Sequence, residues 1–250
     1  MINFIYNQKN TFLAISAMVI GVIFIDIHGL IVKYLGGEYS TIQLALFRNT
    51  FAIIPLILLL IYNKESSDLF KNLNKKFILF CFIRGSCFLA INILYYIAIN
   101  NMEFATASTL TFSSTFFIVI LSIFFLGDRV GIYRWSAVII GFVGVVMIMK
   151  PNSSIFSYYS ILPILVAFLW AVQVIVLKFI PDNFSTGKIQ FYSLFSSFLG
   201  SLIFIFFTTG HTYIESNTDF LILSLIGIFG GTAAILFIYS CLLYTSPSPR

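Results

Sequence analysis

Eight long apolar runs decide what this chain can fold into. They lie at residues 11–32, 41–62, 77–99, 103–126, 131–149, 158–180, 187–208 and 219–243. The hydrocarbon core of a bilayer is about 30 Å thick, so a helix needs roughly 20 apolar residues to cross it. The runs are continuous and lack the alternation of barrel strands, so only helices satisfy their backbone in lipid. The predicted fold class is an all-α integral membrane protein.

The composition supports this prediction and excludes several classes of soluble protein. Of the 250 residues 60% are hydrophobic and only 9% are charged, whereas a soluble domain carries roughly 25% charged residues. The net charge of +5 is spread over short loops, so no nucleic-acid partner is expected. The cysteines Cys81, Cys87 and Cys241 lie in apolar runs without a CxxC pair, which predicts buried thiols rather than a metal site or disulfides. The expected partners are a small-molecule substrate and the lipid bilayer; a homodimer is left open and no cofactor is expected.

A ten-residue segment occurs twice. Residues 32–41 and 177–186 align at a single offset, with Lys on Lys, Tyr on Phe twice, and Ser-Thr on Ser-Thr. Each copy separates two apolar runs, so the chain is predicted to be one helical unit written twice. The first unit, residues 11–150, holds five helices, and because five is odd the second unit starts on the opposite face and is inverted. Inverted repeats are typical of transporters that alternate access around a central substrate site.

The second unit, residues 157–241, holds three helices. Its last helix aligns with the third helix of the first unit, with Phe220 on Phe77. Residues 242–250 do not align and resemble a translated sequencing-adapter tail, so they are predicted to be non-native. On this interpretation a fold of five plus five helices is truncated to about eight.

The basic residues of the loops predict the orientation. With the N-terminus inside, the inner loops hold Lys9, Lys64, Lys71, Lys75, Lys76, Arg129, Arg134, Lys178 and Lys188. The outer loops hold only Lys33 and Lys150. Because positive loops stay in the cytoplasm, we expect a multi-pass protein of the bacterial cytoplasmic membrane with a cytoplasmic N-terminus. The first run lacks a small-residue cleavage site, so we interpret it as a membrane helix rather than a signal peptide.

Short motifs in a fixed order span the first repeat. They are Leu46-Phe47-Arg48-Asn49, Phe82-Ile83-Arg84-Gly85, Tyr95-Tyr96-Ile97-Ala98-Ile99, Ala105-Thr106-Ala107-Ser108, Phe125-Leu126-Gly127-Asp128-Arg129, Arg134-Trp135, Gly141-Phe142-Val143-Gly144 and Lys150-Pro151. By this ordered set the chain resembles the drug/metabolite transporter superfamily, and within it the EamA family of ten-helix proteins with two five-helix repeats. Helices one and two are most similar to the S-adenosylmethionine uptake carriers of that family. Asp128 replaces the family's usual Glu, and Thr115 stands where Pro is common, so no proline kink is expected there.

Four ionisable residues lie inside predicted membrane helices, where each costs about 2.5–3.5 kcal/mol. They are Asp26, His28, Arg48 and Arg84. Asp26 and Arg48 lie at matching depths, about 8–10 Å below the outer ends of helices one and two, so an ion pair between them is geometrically reasonable. That pair either fixes helix packing, or Arg48 or Arg84 binds an anionic group such as a carboxylate. Arg84 can instead extend to the inner interface.

Further polar and aromatic residues are candidates to line a substrate path. His28 either relays protons or is hydrogen bonded in the interior, and it aligns with Gln173 across the repeat. The polar residues Gln43, Asn92, Gln173 and Gln190 are expected to face the bundle interior. Tyr95, Tyr96 and Trp170 either stack on a cationic or aromatic substrate or pack in the interior and at the membrane interface.

The leading functional hypothesis is a secondary transporter of a small organic metabolite. No Walker A sequence is present, so ATP is not expected to drive it directly. An intramembrane enzyme is the weakest alternative, because the sequence lacks a second intramembrane Asp, an HExxH helix and a GxSxG elbow. A membrane scaffold or assembly protein is the other alternative, and buried charges within a repeat argue against it.

Overall fold

The computed structural model describes most of the chain as helix. It covers residues 2–71, 73–127, 131–149, 158–181, 184–208, 213–214 and 216–245. Within this part the helices are α1 (Ile2–Leu35), α2 (Thr41–Phe51), α3 (Ile53–Tyr62), α4 (Lys75–Asn101), α5 (Phe104–Thr111), α6 (Ser114–Leu126), α7 (Ile132–Met149), α8 (Ile161–Lys178), α9 (Thr186–Phe207) and α10 (Asn217–Thr245). The described residues contain no strand. The predicted all-α class is confirmed.

All eight predicted runs are helical. Seven of the described segments are long and apolar enough to cross a membrane: Thr11–Leu35, Thr41–Tyr62, Lys75–Asn101, Phe104–Leu126, Tyr158–Lys178, Thr186–Phe207 and Asn217–Phe237. The predicted fifth run corresponds to α7, whose apolar stretch over the described residues is the shorter Val138–Met147. Large apolar side chains such as Phe12, Leu58 and Phe124 lie on the surface, as expected for helices that face lipid.

Two of the spans are interrupted. The second is divided into α2 and α3 at Ala52, because Pro55 has no N–H for the carbonyl one turn earlier. The fourth is divided into α5 and α6 at Phe112 and Ser113, where backbone bonds run from residue i to i+3. The span is therefore interrupted near Thr115 although no proline stands there. Here a hydroxyl group rather than a proline competes for a backbone carbonyl at the break: the Ser113 side chain donates to the carbonyl of Leu110.

The repeated Ser-Thr pairs perform the same task in both copies. Ser40 caps α2 with φ −65° and ψ 147°, and its side chain accepts a hydrogen bond from the backbone of Gln43. Ser185 caps α9 with φ −66° and ψ 148°, and accepts from the backbone of Lys188. A serine at this position satisfies an N–H group that the first helical turn leaves unpaired. The aligned residues thus set the start of the second span in each predicted repeat.

The two predicted repeats exchange their third helices. Helix α4, from the first, packs against α8 and α9 of the second. Helix α10, from the second, packs against α1 and α2 of the first. Each third helix therefore lies on the first two spans of the other repeat, and the centre of the molecule is built from both.

Of the three cysteines predicted to be buried thiols, Cys81 is fully buried, and it lies beneath the start of α9. Cys81 is 1% exposed within a cluster that includes Phe77, Phe184 and Ile189. Cys87 is partly buried, and both are free thiols. The side chain of Cys241 lies outside the described residues, as do Asp128, Arg129, Lys150 and Pro151, the side chains of Lys9 and Arg134, and residues 246–250 of the predicted non-native tail.

Candidate functional site

Arg48 is buried in the centre of the helices. It lies on α2 with 3% of its surface exposed, and its guanidinium carbon lies 4.1 Å from the centre of the Phe88 ring on α4. Its Nη1 donates to Oδ1 of Asn49 at 3.3 Å. The Asn49 amide donates to the backbone carbonyl of Ser197 on α9 at 3.3 Å. The guanidinium is therefore held against an aromatic ring, with α9 supporting its neighbour.

His28 lies beside Arg48 and joins α1 to α4. Its Nε2 and the hydroxyl of Tyr96 are 2.8 Å apart, and both side chains are buried. A Cβ atom built on Gly230 of α10 would lie 3.2 Å from Nε of Arg48 and 3.3 Å from Cδ2 of His28. The two basic side chains therefore meet at the backbone of Gly230, and a larger residue there would press on both.

One face of α4 connects these groups. Phe88, Asn92 and Tyr96 follow each other at intervals of four residues, so they lie one above another on the same helix face. Asn92 is 6% exposed. We use the name polar cluster for His28, Arg48, Asn49, Asn92 and Tyr96, which α1, α2 and α4 supply and which α10 closes at Gly230.

The structure does not form the predicted ion pair between Asp26 and Arg48. Asp26 is exposed on α1, while Arg48 is buried, and no ion pair joins these two described residues. The physical reason is helix periodicity: two residues along an α-helix turn the side chain by about 200°. Because His28 faces the cluster, Asp26 faces away from it. Matching depth alone did not determine the rotation of α1.

Arg84 forms a second polar site, between α4 and α9. Its Nη1 donates to Oε1 of Gln190 at 3.0 Å and to Oγ of Ser193 at 3.3 Å. From α8, Nε2 of Gln173 donates to the backbone carbonyl of Arg84 at 3.1 Å. Arg84 is thus held by hydrogen bonds within the bundle, which favours an interior role over extension to the interface.

A small cavity adjoins Arg48 and Gln190. It has a volume of about 10 Å³, roughly the space that one water molecule requires. Its polar walls are Arg48 and Gln190, and its remaining walls are apolar: Ala52, Leu56, Leu194, Gly231, Ala234 and Ile235. Gln190 therefore links the cavity to Arg84, and the helices are packed closely around the site.

The aligned residues His28 and Gln173 do not meet. His28 contacts α4 at Tyr96, whereas Gln173 contacts α4 at Arg84. These points are about 18 Å apart along the helix at 1.5 Å per residue. The four amides predicted to face the interior are nevertheless all buried, which confirms that prediction: Gln43, Asn92, Gln173 and Gln190.

Two of the three aromatic candidates lie outside the cluster. Tyr95 is partly buried and its hydroxyl lies 2.9 Å from Oγ of Ser108 on α5. Trp170 is partly buried on α8, which packs against α4 and α6. Only Tyr96 is bonded within the cluster. Among the residues that the structure describes, no group of three His, Cys, Asp or Glu could hold a metal ion.

Sequence reasoning missed Phe88 and Gly230. Phe88 reads as one more apolar residue in a membrane span, although its position midway between Arg84 and Asn92 at intervals of four was a usable signal. Gly230 belongs to a glycine-rich stretch that predicts close helix packing. Nothing in the sequence indicates which side chains that stretch packs against.

The chain is similar in sequence to known transporters. A model of the EamA-like transporter family matches residues 12–150, more than half of the chain. A riboflavin transporter of Rhizobium johnstonii is 40% identical over 63 residues, 25% of this chain and 21% of the relative. Riboflavin transporters of Vibrio cholerae and Brucella anthropi are each 33% identical, over 78 and 79 residues, 31% and 32% of this chain and 26% and 28% of the relatives. The chain thus matches only a fifth to three tenths of these relatives' lengths.

Proposed function

The chain belongs to the EamA-like transporter family, and on that premise we propose that it is a secondary transporter that moves a small organic metabolite across the bacterial cytoplasmic membrane. The observation that carries the proposal is the polar cluster. Helices of both predicted repeats enclose it, and it holds a buried guanidinium at a depth where charge needs a functional reason. A scaffold has no need of such a site, and the family is named for transport rather than for an enzymatic activity.

The proposed mechanism is alternating access between two inverted repeats. The exchange of α4 and α10 supports it, because tilting one repeat against the other then opens the cluster at one end and closes it at the other. Contacts between the two predicted repeats are formed at both ends in this structure.

At the end where α4 begins, we use the name α9 latch for the contacts around Phe184, Ser185 and Lys188. The Phe184 ring stacks on Phe77 with the ring centres 4.1 Å apart. The Ser185 hydroxyl donates to a carboxylate oxygen of Glu65 at 2.8 Å. The buried Lys188 ammonium donates to the backbone carbonyls of Asp68, at 3.0 Å, and of Lys71.

At the end where α4 finishes, a smaller set of contacts joins the two predicted repeats. The Tyr39 hydroxyl donates to a carboxylate oxygen of Asp219 at 3.1 Å. Tyr39 aligns with Phe184 in the repeat, and Asp219 precedes Phe220, which aligns with Phe77. The contact of Tyr39 with Asp219 thus lies one residue from the position that corresponds to the stacking of Phe184 on Phe77. The α9 latch also joins loops rich in lysine, which supports a cytoplasmic location for that end.

The Lys188→Met variant is expected to loosen the α9 latch. The substitution removes two charge-assisted hydrogen bonds from a buried ammonium, and bonds to charged groups contribute about 1.5–3 kcal/mol each. Cys81, 1% exposed beneath the latch, should then react with a maleimide about tenfold faster, measured in a background with Cys87→Ser and Cys241→Ser. Lys178→Met, at the exposed end of α8, is the matched control. Equal labelling rates in all three proteins would contradict the latch.

Transport itself is tested by uptake into liposomes that contain the purified protein. Riboflavin is the first substrate to test, because the relatives named above are riboflavin transporters. S-adenosylmethionine is the second, because helices one and two resemble its carriers. We expect saturable uptake of one of the two compounds and a clearly lower rate of uptake of the other. A scaffold or an enzyme would show no protein-dependent uptake of either.

A cross-link across the α9 latch distinguishes alternating access from a static pore. Glu65→Cys with Ser185→Cys places two thiols where the native side chains are in contact. A cleavable bifunctional thiol reagent is expected to stop uptake in the double variant, and reduction should restore it, because the latch can then no longer open. Each single variant treated in the same way is the control. Unchanged uptake in the cross-linked protein would contradict opening at this end.

A further inference from the structure

We propose that the substrate presents a pair of hydrogen-bond acceptors on a planar edge, a carboxylate or a cyclic imide, to Arg48 and Asn92. The inference rests on the proposed transport function and adds the chemical class of the substrate and the residues that recognise it. Three separate observations support it: unpartnered donors, a cation without a counter-charge, and the shape of the wall opposite.

The first observation is that two buried donors have no partner. Nε of Arg48 and Nδ2 of Asn92 have none, although the side chains are only 3% and 6% exposed. Both atoms carry N–H groups and can only donate. An unsatisfied buried donor costs about 1–3 kcal/mol, and more when it is charged. Asn92 lies one helical turn from Phe88, whose ring contacts Arg48, so both donors belong to the region between α2 and α4. We infer that acceptors from outside the chain complete a site there.

The second observation concerns charge. In the described part of the chain no carboxylate lies within 4.0 Å of the Arg48 guanidinium. Its contacts there are neutral, the amide of Asn49 and the ring of Phe88. A buried cation without a paired anion is unfavourable, and an anionic or strongly polarised acceptor relieves that cost. The ligand group that fits best therefore carries negative charge or two aligned carbonyl oxygens.

The third observation concerns shape. Phe88 covers one face of the guanidinium, so binding is directed to its edge, where two donors lie in one plane and match two acceptors. The Nε side of that edge faces Gly230, and the adjoining cavity is lined by Gly231 and Ala234. In this structure Gly230 covers that edge, since a Cβ built there would lie 3.2 Å from Nε and 3.6 Å from Nη2 of Arg48. A flat ring can reach the edge only when α10 moves away, and the small residues of α10 would then leave a smooth wall for it. The site thus favours a planar ring system with the acceptor pair on or near it.

Both substrates considered above carry this chemistry. Riboflavin has an imide edge within its ring system, on which an N–H group separates the two carbonyl oxygens, so that one oxygen binds Arg48 and the other binds Asn92. S-adenosylmethionine has a carboxylate, whose two oxygens match the planar donors of Arg48, and a separate adenine ring. The two sources can be distinguished by analogues that lack the acceptor pair or block it. For riboflavin the analogue is its N3-alkylated form, and for S-adenosylmethionine it is the decarboxylated form.

The experiment is equilibrium binding of each labelled compound to the purified full chain in detergent. Arg48→Met is expected to weaken binding of the preferred compound by at least about 30-fold, which corresponds to about 2 kcal/mol. The affinity of Arg48→Lys should lie between those of the unaltered protein and Arg48→Met, because lysine keeps the charge but loses the planar fork. Asn92→Asp should also weaken binding, because it replaces a donor by an acceptor that competes with the ligand for Arg48.

Matched controls separate recognition from general damage. Lys75→Met removes a charge from the exposed start of α4, and Asn101→Asp makes the same change as Asn92→Asp at the exposed end of that helix. Both should bind like the unaltered protein. The analogue whose acceptor pair is missing or blocked should bind weakly to the unaltered protein. Its affinity for Arg48→Met should be the same. Thermal unfolding of every variant shows that it is folded.

The outcomes for transport and for recognition are distinct. Uptake that survives in Arg48→Met would leave the transporter proposal intact and overturn this inference. Binding that depends on Arg48 without any uptake would support the inference and overturn transport. Equal affinity of the unaltered protein and Arg48→Met, or no binding of either compound to the unaltered protein, would overturn the inference.

Discussion

Gly85→Ala is expected to force α4 and α9 apart and to destabilise the protein strongly. A Cβ atom at this position would lie 2.3 Å from the backbone carbonyl oxygen of Ser193 and 2.6 Å from Cβ of Ser196. The nearest obstacle is backbone, so the helices themselves must separate. Overpacking a close contact costs about 1–3 kcal/mol, and we expect the upper end of that range. The same separation would stretch the hydrogen bond from Arg84 to Ser193.

The measurement is the thermal midpoint of unfolding in detergent, beside Gly141→Ala. A Cβ at Gly141 of α7 would have no atom within 4 Å, so that variant gains helix propensity worth up to about 1 kcal/mol and meets no obstacle. The two variants should therefore shift the midpoint in opposite directions. A midpoint for Gly85→Ala equal to that of the unaltered protein would show that α9 can move without cost.

Close approach through glycine occurs at both exchanged helices. On α10 a Cβ at Gly227 would lie 2.4 Å from Cβ of Phe51 and 2.9 Å from the backbone oxygen of Arg48. Each third helix thus uses a glycine to reach the second span of the other repeat. In lipid, where apolar side chains gain little by leaving the solvent, such close packing is a main source of helix association.

The features that the sequence predicted correctly depend on local properties. Span length follows from apolar composition, and the starts of α2 and α9 follow from Ser40 and Ser185, whose caps involve only the next helical turn. The burial of Arg48 also follows, because a charge within an apolar run must avoid lipid. Each of these requires no knowledge of the neighbouring helices.

The rotation of each helix was not predictable in the same way. In a soluble protein a polar face shows which side of a helix is exposed, but here both the lipid-facing and the buried sides of α1 are apolar. The assignment of Asp26 to Arg48 failed for this reason. The break between α5 and α6 was missed because hydroxyl groups take the place of the expected proline, and their effect depends on which carbonyls they bond to.

Arg48→Met is expected to raise thermal stability while it removes the proposed contact to the substrate. The guanidinium is buried without an anionic partner in the described part of the chain, and its Nε has no hydrogen bond. Replacing buried ionic groups by apolar ones of similar size is often stabilising by about 1–4 kcal/mol. Two losses offset part of this: the contact with Phe88, since cation–π contacts contribute about 0.5–2 kcal/mol, and the long hydrogen bond to Oδ1 of Asn49, at 3.3 Å. We expect a net gain of at most about 1 kcal/mol.

Arg84→Met is the contrasting variant. The Nε of Arg84 is also without a partner, so the two arginines differ in their other contacts. Arg84 donates to Gln190 and Ser193, so its removal leaves buried acceptors on α9 unpaired and should lower the midpoint of unfolding. Both variants remove one charge from a membrane helix. If their midpoints of unfolding shift in opposite directions, Arg84 holds helices together and Arg48 is kept for binding. If Arg48→Met lowered the midpoint as much as Arg84→Met, Arg48 would be a structural residue. A higher midpoint combined with lost binding would mean that the protein keeps Arg48 for its substrate at the expense of stability.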